Sequence, residues 1–145
     1  VDVTTSITEV DCVAIAYDPT SAVGRLYILV ENQSGGGVSS YYTDNEGGTV
    51  SVATVVSATG NHVSVGINPM GKRIVAFRNT GNDLHRVIYD PQGNVITASS
   101  AVVASGVSND QTAIAWRLGR WFLYYHDTSG GITQLVSVDD GETFA

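Results

Sequence analysis

Six arginines, three histidines and one cysteine have the widest chemical reach in this chain of 145 residues. The arginines are Arg25, Arg73, Arg78, Arg86, Arg117 and Arg120. A converging set could hold a substrate carboxylate, because the guanidinium fork matches its two oxygens. Arg25, Lys72 and Arg120, however, each follow a glycine at equivalent places and read as a repeated surface charge. His62, His85 and His126 fall at non-equivalent strand positions, which suits hydrogen-bonded or solvated side chains rather than a shared metal site. Cys12 opens an apolar strand with no base beside it in sequence, so a buried, inert thiol is expected. A single cysteine also excludes a disulfide framework and a cysteine-based zinc site. No two carboxylates can be assigned to one glycosidic site by spacing. No catalytic residue, metal or cofactor is expected.

The elements that carry these side chains repeat. Gly24-Arg25-Leu26-Tyr27, Gly71-Lys72-Arg73-Ile74 and Gly119-Arg120-Trp121-Phe122 are separated by 47 and 48 residues. The chain is therefore three units, over about residues 1–48, 49–97 and 98–145. Each begins with an inner strand (12–17, 62–67, 112–116) in which small residues such as Ala14, Ser64 and Ala115 alternate with larger ones. That alternation predicts a strand packed on both faces. Second strands rich in aromatic and branched residues follow, then Gly/Asn-rich hairpin loops at 32–37, 79–83 and 127–131. Third strands are expected at 38–43, 84–89 and 132–138, and fourth strands near 49–56 and 95–103. Four antiparallel strands recurring at this period are the signature of propeller blades. The fold class is all-β: a propeller segment of three four-stranded blades.

Ser137-Val138-Asp139-Asp140-Gly141-Glu142-Thr143-Phe144 has the pattern S-x-D-x-G-x-T-[FW]. It resembles the Asp-box of sialidase-like propellers, the bacterial-neuraminidase repeats. Ser137 and Asp139 can accept backbone N–H bonds within such a turn, and Gly141 supplies a left-handed residue. The resemblance implies that Thr143 and Phe144 start the next strand and that the box is structural, away from the catalytic face. Calcium binding by Asp139 and Asp140 is the lesser reading. Residues 43–49 and 89–95 keep an Asp and a Gly with one extra residue between them. The Phe/Tyr-Arg-Ile-Pro motif that the resemblance calls for is absent. A non-enzyme is therefore expected, with a sialidase-like hydrolase as the alternative.

The third unit lacks a fourth strand. Writing residues 140–145 onto residues 1–5 rebuilds one, so the array closes in register around a split outer strand. Three blades are too few for a ring, and an open stack exposes sheet faces and edges. The expectation is a head-to-tail homo-oligomer of six blades, or completion by the rest of a longer chain. The opening Val1 suggests a processed chain or an excerpt.

Charged residues make up 14 % of the sequence and the net charge is −7, which argues against nucleic acid as a partner. No apolar run approaches the ~20 residues that cross a bilayer as a helix, so membrane insertion is not expected. The Gly-, Ser-, Thr- and Val-rich composition points to an extracellular or virion-associated protein. Candidate binding residues lie where second strands enter their loops: Glu31, Asn32, Arg78, Asn79, His126 and Asp127. These loops should share a face with the connections at 6–11, 57–61 and 105–110. Trp116 is a further candidate as a stacking platform for a sugar ring, although packing between blades competes for it. Leu26, Arg73 and Trp121 are equivalent and read as inter-blade packing. The expected function is a non-catalytic binding or structural module of a virion or cell surface, possible ligands including glycans. A sialidase-like hydrolase fragment and an excised or designed repeat array are the alternatives.

Overall fold

The computed structural model describes residues 10–32, 36–44, 49–51, 54–108 and 111–145. The split-strand residues 1–5, residues 6–9 of the connection at 6–11 and residues 109–110 of the connection at 105–110 lie outside them. Three antiparallel sheets follow one another along the chain. The first is β1 (Val10–Tyr17), β2 (Leu26–Asn32), β3 (Val38–Thr43) and β4 (Thr54–Ser57), paired in that order. The second is β5 (Asn61–Ile67), β6 (Arg73–Arg78), β7 (Asp83–Tyr89) and β8 (Val95–Ser105). The third is β9 (Ala113–Arg117), β10 (Arg120–His126) and β11 (Ile132–Ser137). Each sheet is an up-and-down meander, as a propeller blade requires. The described part of β4 begins at Thr54, later than expected, although Ser51 already donates its N–H to the Tyr42 carbonyl at 2.8 Å.

The blades stack through their broad faces. Successive side chains on a strand point to opposite faces, so the middle blade packs on both neighbours. Val75 and Phe77 of β6 join Tyr27, Leu29 and Val38 of the first blade. Ile74 and Ala76, one residue out of phase, join Ile114, Trp121 and Leu123 of the third. The first five residues of β6 are consequently all buried. Small residues permit this approach. A Cβ on Gly66 would stand 2.9 Å from the Trp121 ring and 3.3 Å from the Ile114 carbonyl oxygen.

Packing on both faces holds for the inner strand of the middle blade but not for those of the outer two. Val13, Ile15 and Tyr17 of β1 are 51, 59 and 58 % exposed, while Ala14 faces the second blade. In β9 the order is reversed: Ile114 is buried, and Ala113 and Ala115 are exposed. The physical reason is position, since these strands end the stack. Cys12 is accordingly partly rather than fully buried, its thiol 3.6 Å from the Val63 carbonyl and 3.3 Å from Gln111 Oε1.

The third sheet has three described strands, yet a fourth is started. Val136 and Ala145 exchange both backbone hydrogen bonds, at 2.9 and 3.2 Å. That reciprocal pair is the antiparallel pattern. The chain's last residue thus stands where the outer strand of a blade begins.

Candidate functional site

One end of the stack gathers the loops between second and third strands with the connections between blades. Gly37 donates to the Gly60 carbonyl at 2.9 Å, and Val107 to that of Asn82 at 2.9 Å. Ser108 donates to the His126 carbonyl at 2.8 Å and Thr128 to that of Gly106 at 3.1 Å. β1 and β5 each enter from this end through a bulge, and in β5 His62 takes a φ of 52°. The bulge turns the His62 N–H onto Glu31 Oε2 at 2.8 Å and its carbonyl onto Thr112 Oγ1 at 2.8 Å.

The candidate residues sit on this face, and most already have a partner. Glu31 is buried and caps the bulge of the next blade. Asn32 closes its loop by donating its N–H to the Gly37 carbonyl at 3.0 Å. Arg78 reaches Asn82, Asn61 at 3.4 Å and the Val107 carbonyl at 3.3 Å. Asn79 Oδ1 accepts from the N–H groups of Gly81 and Asp83 at 2.8 and 2.9 Å, while its amide meets His85 Nε2 at 2.7 Å. His85 also stacks on Phe77. Asp127 organises its own loop through Ser129, Gly131 and Thr133. His126 borders an open groove of about 180 Å³ with Tyr124, Tyr125 and Ile132. Trp116 is far from these loops in role: it meets Trp121 edge-on at 5.2 Å and packs between blades.

The opposite end holds the turn at residues 137–143, and here the hydrogen bonds are dense. Ser137 Oγ accepts from the Gly141 N–H at 2.8 Å and donates to Asp139 Oδ1 at 2.7 Å. Asp139 also accepts from the Thr143 N–H at 2.9 Å and its hydroxyl at 2.5 Å. Across the blade boundary, Arg86 Nε donates to the Gly141 carbonyl at 2.6 Å, and Nη2 reaches the Glu142 carbonyl. Asp140 takes the Lys72 ammonium and the Trp121 indole N–H, the latter at 3.3 Å. Phe144 packs against the cluster between the second and third blades. Both carboxylates are thus engaged by protein groups, and the turn fastens the third blade to the second.

Lys72 and Arg25 are not a repeated surface charge. Each is paired with an acid on a turn, and Arg25 grips Asp44 of its own blade with two bonds of 2.6 and 2.8 Å. The pairs differ in register, so the shared position in sequence does not give a shared environment.

Four carboxyl groups in the turns titrate low, among them Asp44 beside Arg25 and Asp90 beside Asn94. Asp139 is held well below the usual carboxylate range, first by the Thr143 hydroxyl, then by the Thr143 N–H and Ser137. Asp127 is pushed down to about 2 by the Ser129 hydroxyl and the Gly131 N–H. A folded-state pKa below the unfolded one favours the folded chain where the group is ionised. This contribution is complete above a pH of about 4 and is lost as pH falls through the folded values. The melting midpoint is expected to fall steadily from about pH 4 to pH 2. Asp139→Asn should flatten that slope, so that variant and parent converge at the acid end of a calorimetric pH series.

No family model matches the chain, and no curated protein matches it. Among solved structures it is similar to Hadza microbial sialidase Hz136, with a TM-score of 0.63 at 15 % identity. The match covers 90 % of this chain and 29 % of that one, so the chain spans under a third of the sialidase. At this identity the likeness concerns the fold alone: three consecutive antiparallel sheets arranged as in a sialidase-like β-propeller.

Proposed function

We propose that this chain is a non-catalytic propeller module, a three-blade segment whose ring is completed by a second copy joined head to tail. The observation that carries this reading is the contrast between its joints and its ends. Both internal joints are apolar and closely packed. Each end face carries exposed apolar side chains: Val13, Ile15 and Tyr17 on one, Tyr124 and Ile132 beside the part-exposed Phe122 on the other. Each such side chain, on full burial, contributes roughly 1.5–3 kcal/mol. Joining unlike ends is a heterologous contact, which forms a ring when the rotation closes. Six blades fall within the common propeller range. The reciprocal Val136–Ala145 bonds support a shared outer strand at the seam. The 137–143 turn serves in this reading as a structural Asp-box, and recognition falls to the loop face, with a glycan as the candidate ligand. Its setting would be a cell surface or virion.

Placing a charge on the open face tests the assembly. Ile15→Asp is expected to halve the sedimenting mass while leaving the strand signal in circular dichroism intact. An unchanged mass would remove Val13, Ile15 and Tyr17 from any interface.

The sialidase likeness favours one second reading: three blades of a larger hydrolase whose active-site residues lie in other blades. Hydrolysis of a fluorogenic sialoside by this chain alone would favour the enzyme and overturn the module.

A further inference from the structure

Arg73 is the one guanidinium in the joint between the first two blades with no carboxylate at ion-pair distance among the described residues. Its residue is 94 % buried (6 % exposed), and neither Nε nor Nη1 has a hydrogen-bond partner among them. The group lies between two aromatic rings, with Cζ 3.7 Å from the Tyr27 centroid and 4.2 Å from that of Tyr89. The guanidinium is therefore packed against aromatic rings from both blades, and hydrogen bonding is left to its N–H groups. Aromatic faces offset part of the desolvation of a cation. A buried charge ordinarily has an opposite charge and satisfied donors as well. Asp18 attracts Arg73 only from beyond ion-pair distance, and its carboxylate accepts from Thr20. Arg25, at the same joint, is already neutralised by Asp44.

Arg73 also lines an opening. A groove of about 240 Å³ runs between the blades, bordered by Arg73, Arg25 and Tyr42, with the Ser40 and Thr54 hydroxyls along its first-blade wall. It lies at the turn end of the joint, away from the loop face. A buried cation with no ion pair among the described residues sets the sign of the groove's ligand, and the hydroxyls suit the remaining oxygens.

We propose that this groove is a binding site for a small oxyanion group, a carboxylate, phosphate or sulfate, received by Arg73. The site is independent of the ring-closure reading, since both walls belong to one chain.

The full chain would be titrated with sodium acetate, sodium phosphate or sodium sulfate, with ionic strength matched by sodium chloride. Calorimetry should show saturation for at least one probe, with Kd at or below about 1 mM. The probe that saturates identifies the oxyanion. Arg73→Met keeps an unbranched stem between the tyrosines and should weaken that binding at least tenfold. Arg120→Met, which removes an exposed charge outside the groove, should leave it unchanged. Should Arg73→Met not fold, the Arg73 Nε–Hε resonance of the parent decides: it should shift and saturate with the same Kd. Absence of saturation beyond the chloride control, binding undiminished in a folded Arg73→Met chain, or an unmoved Nε–Hε resonance would overturn the site. None of these readouts depends on the mass of the assembly, so this proposal and ring closure can fail separately.

Discussion

Trp121→Ala is expected to lower the unfolding free energy by about 3–5 kcal/mol, a loss typical of truncating a buried large aromatic. Trp121 is the largest fully buried side chain of the protein's described residues. It fills the joint between the second and third blades, where Gly66 makes room for its ring. Trp116 meets it edge-on, and its indole N–H reaches Asp140. Truncation would remove the apolar contacts, leave a cavity in rigid sheet surroundings and deprive Asp140 of a donor. Sheets held by backbone ladders cannot collapse to fill such a space, which places the expected loss in this range. Against a total stability of about 5–15 kcal/mol, it would separate the third blade from the rest or unfold the chain. Urea melts of the variant should show a lower midpoint. A loss below about 1 kcal/mol would mean that the joint carries little of the stability.

The second large effect concerns a single added methyl group. Gly141 has a φ of +93°, and a Cβ there would overlap Ile74 Cδ1 and stand 3.5 Å from Ile88 Cδ1. Both isoleucines are fully buried, so neither can swing into open space. Gly93, in the corresponding turn of the second blade, has nearly the same φ of +90° with nothing within 4 Å of its Cβ position. Comparing the two isolates packing from backbone strain. Gly93→Ala should cost about 1–2 kcal/mol, the strain of an L-residue at positive φ. Gly141→Ala adds overpacking of about 1–3 kcal/mol. Moving the turn would also disturb the Arg86 bonds to the Gly141 and Glu142 carbonyls. Thermal melts of the two variants side by side measure the difference. Equal losses would show that the turn at 137–143 does not press on the second blade.

The period of 47–48 residues made the three sheets legible before any coordinate. Strand order along a meander is local, so a repeat with Gly-rich turns is enough to specify it. The 137–143 turn was legible for the same reason, since Ser137, Asp139, Gly141 and Thr143 bond to one another within seven residues. Contacts between blades were not. Tyr27 and Tyr89 lie 62 positions apart, and nothing in the spacing shows that they enclose Arg73. Alignment even obscured it, by equating Arg73 with Leu26 and Trp121 as packing residues. The one sequence signal was a charge where its equivalents are apolar. Lys72 and Arg25 misled in the same way, because their acidic partners, Asp140 and Asp44, come from different blades relative to each cation. The loop face was legible as a place but not in its bonding. Asn79 and Asp127 read as candidate binding residues, whereas short-range Asx turns take up their side-chain oxygens.

The completed ring is the claim on which the function rests, and the mass of the intact chain in solution tests it most directly. Light scattering or sedimentation equilibrium should give about 30 kDa, twice the 15.2 kDa chain, for a species that melts cooperatively. A folded, cooperatively melting species at the mass of a single chain would contradict it.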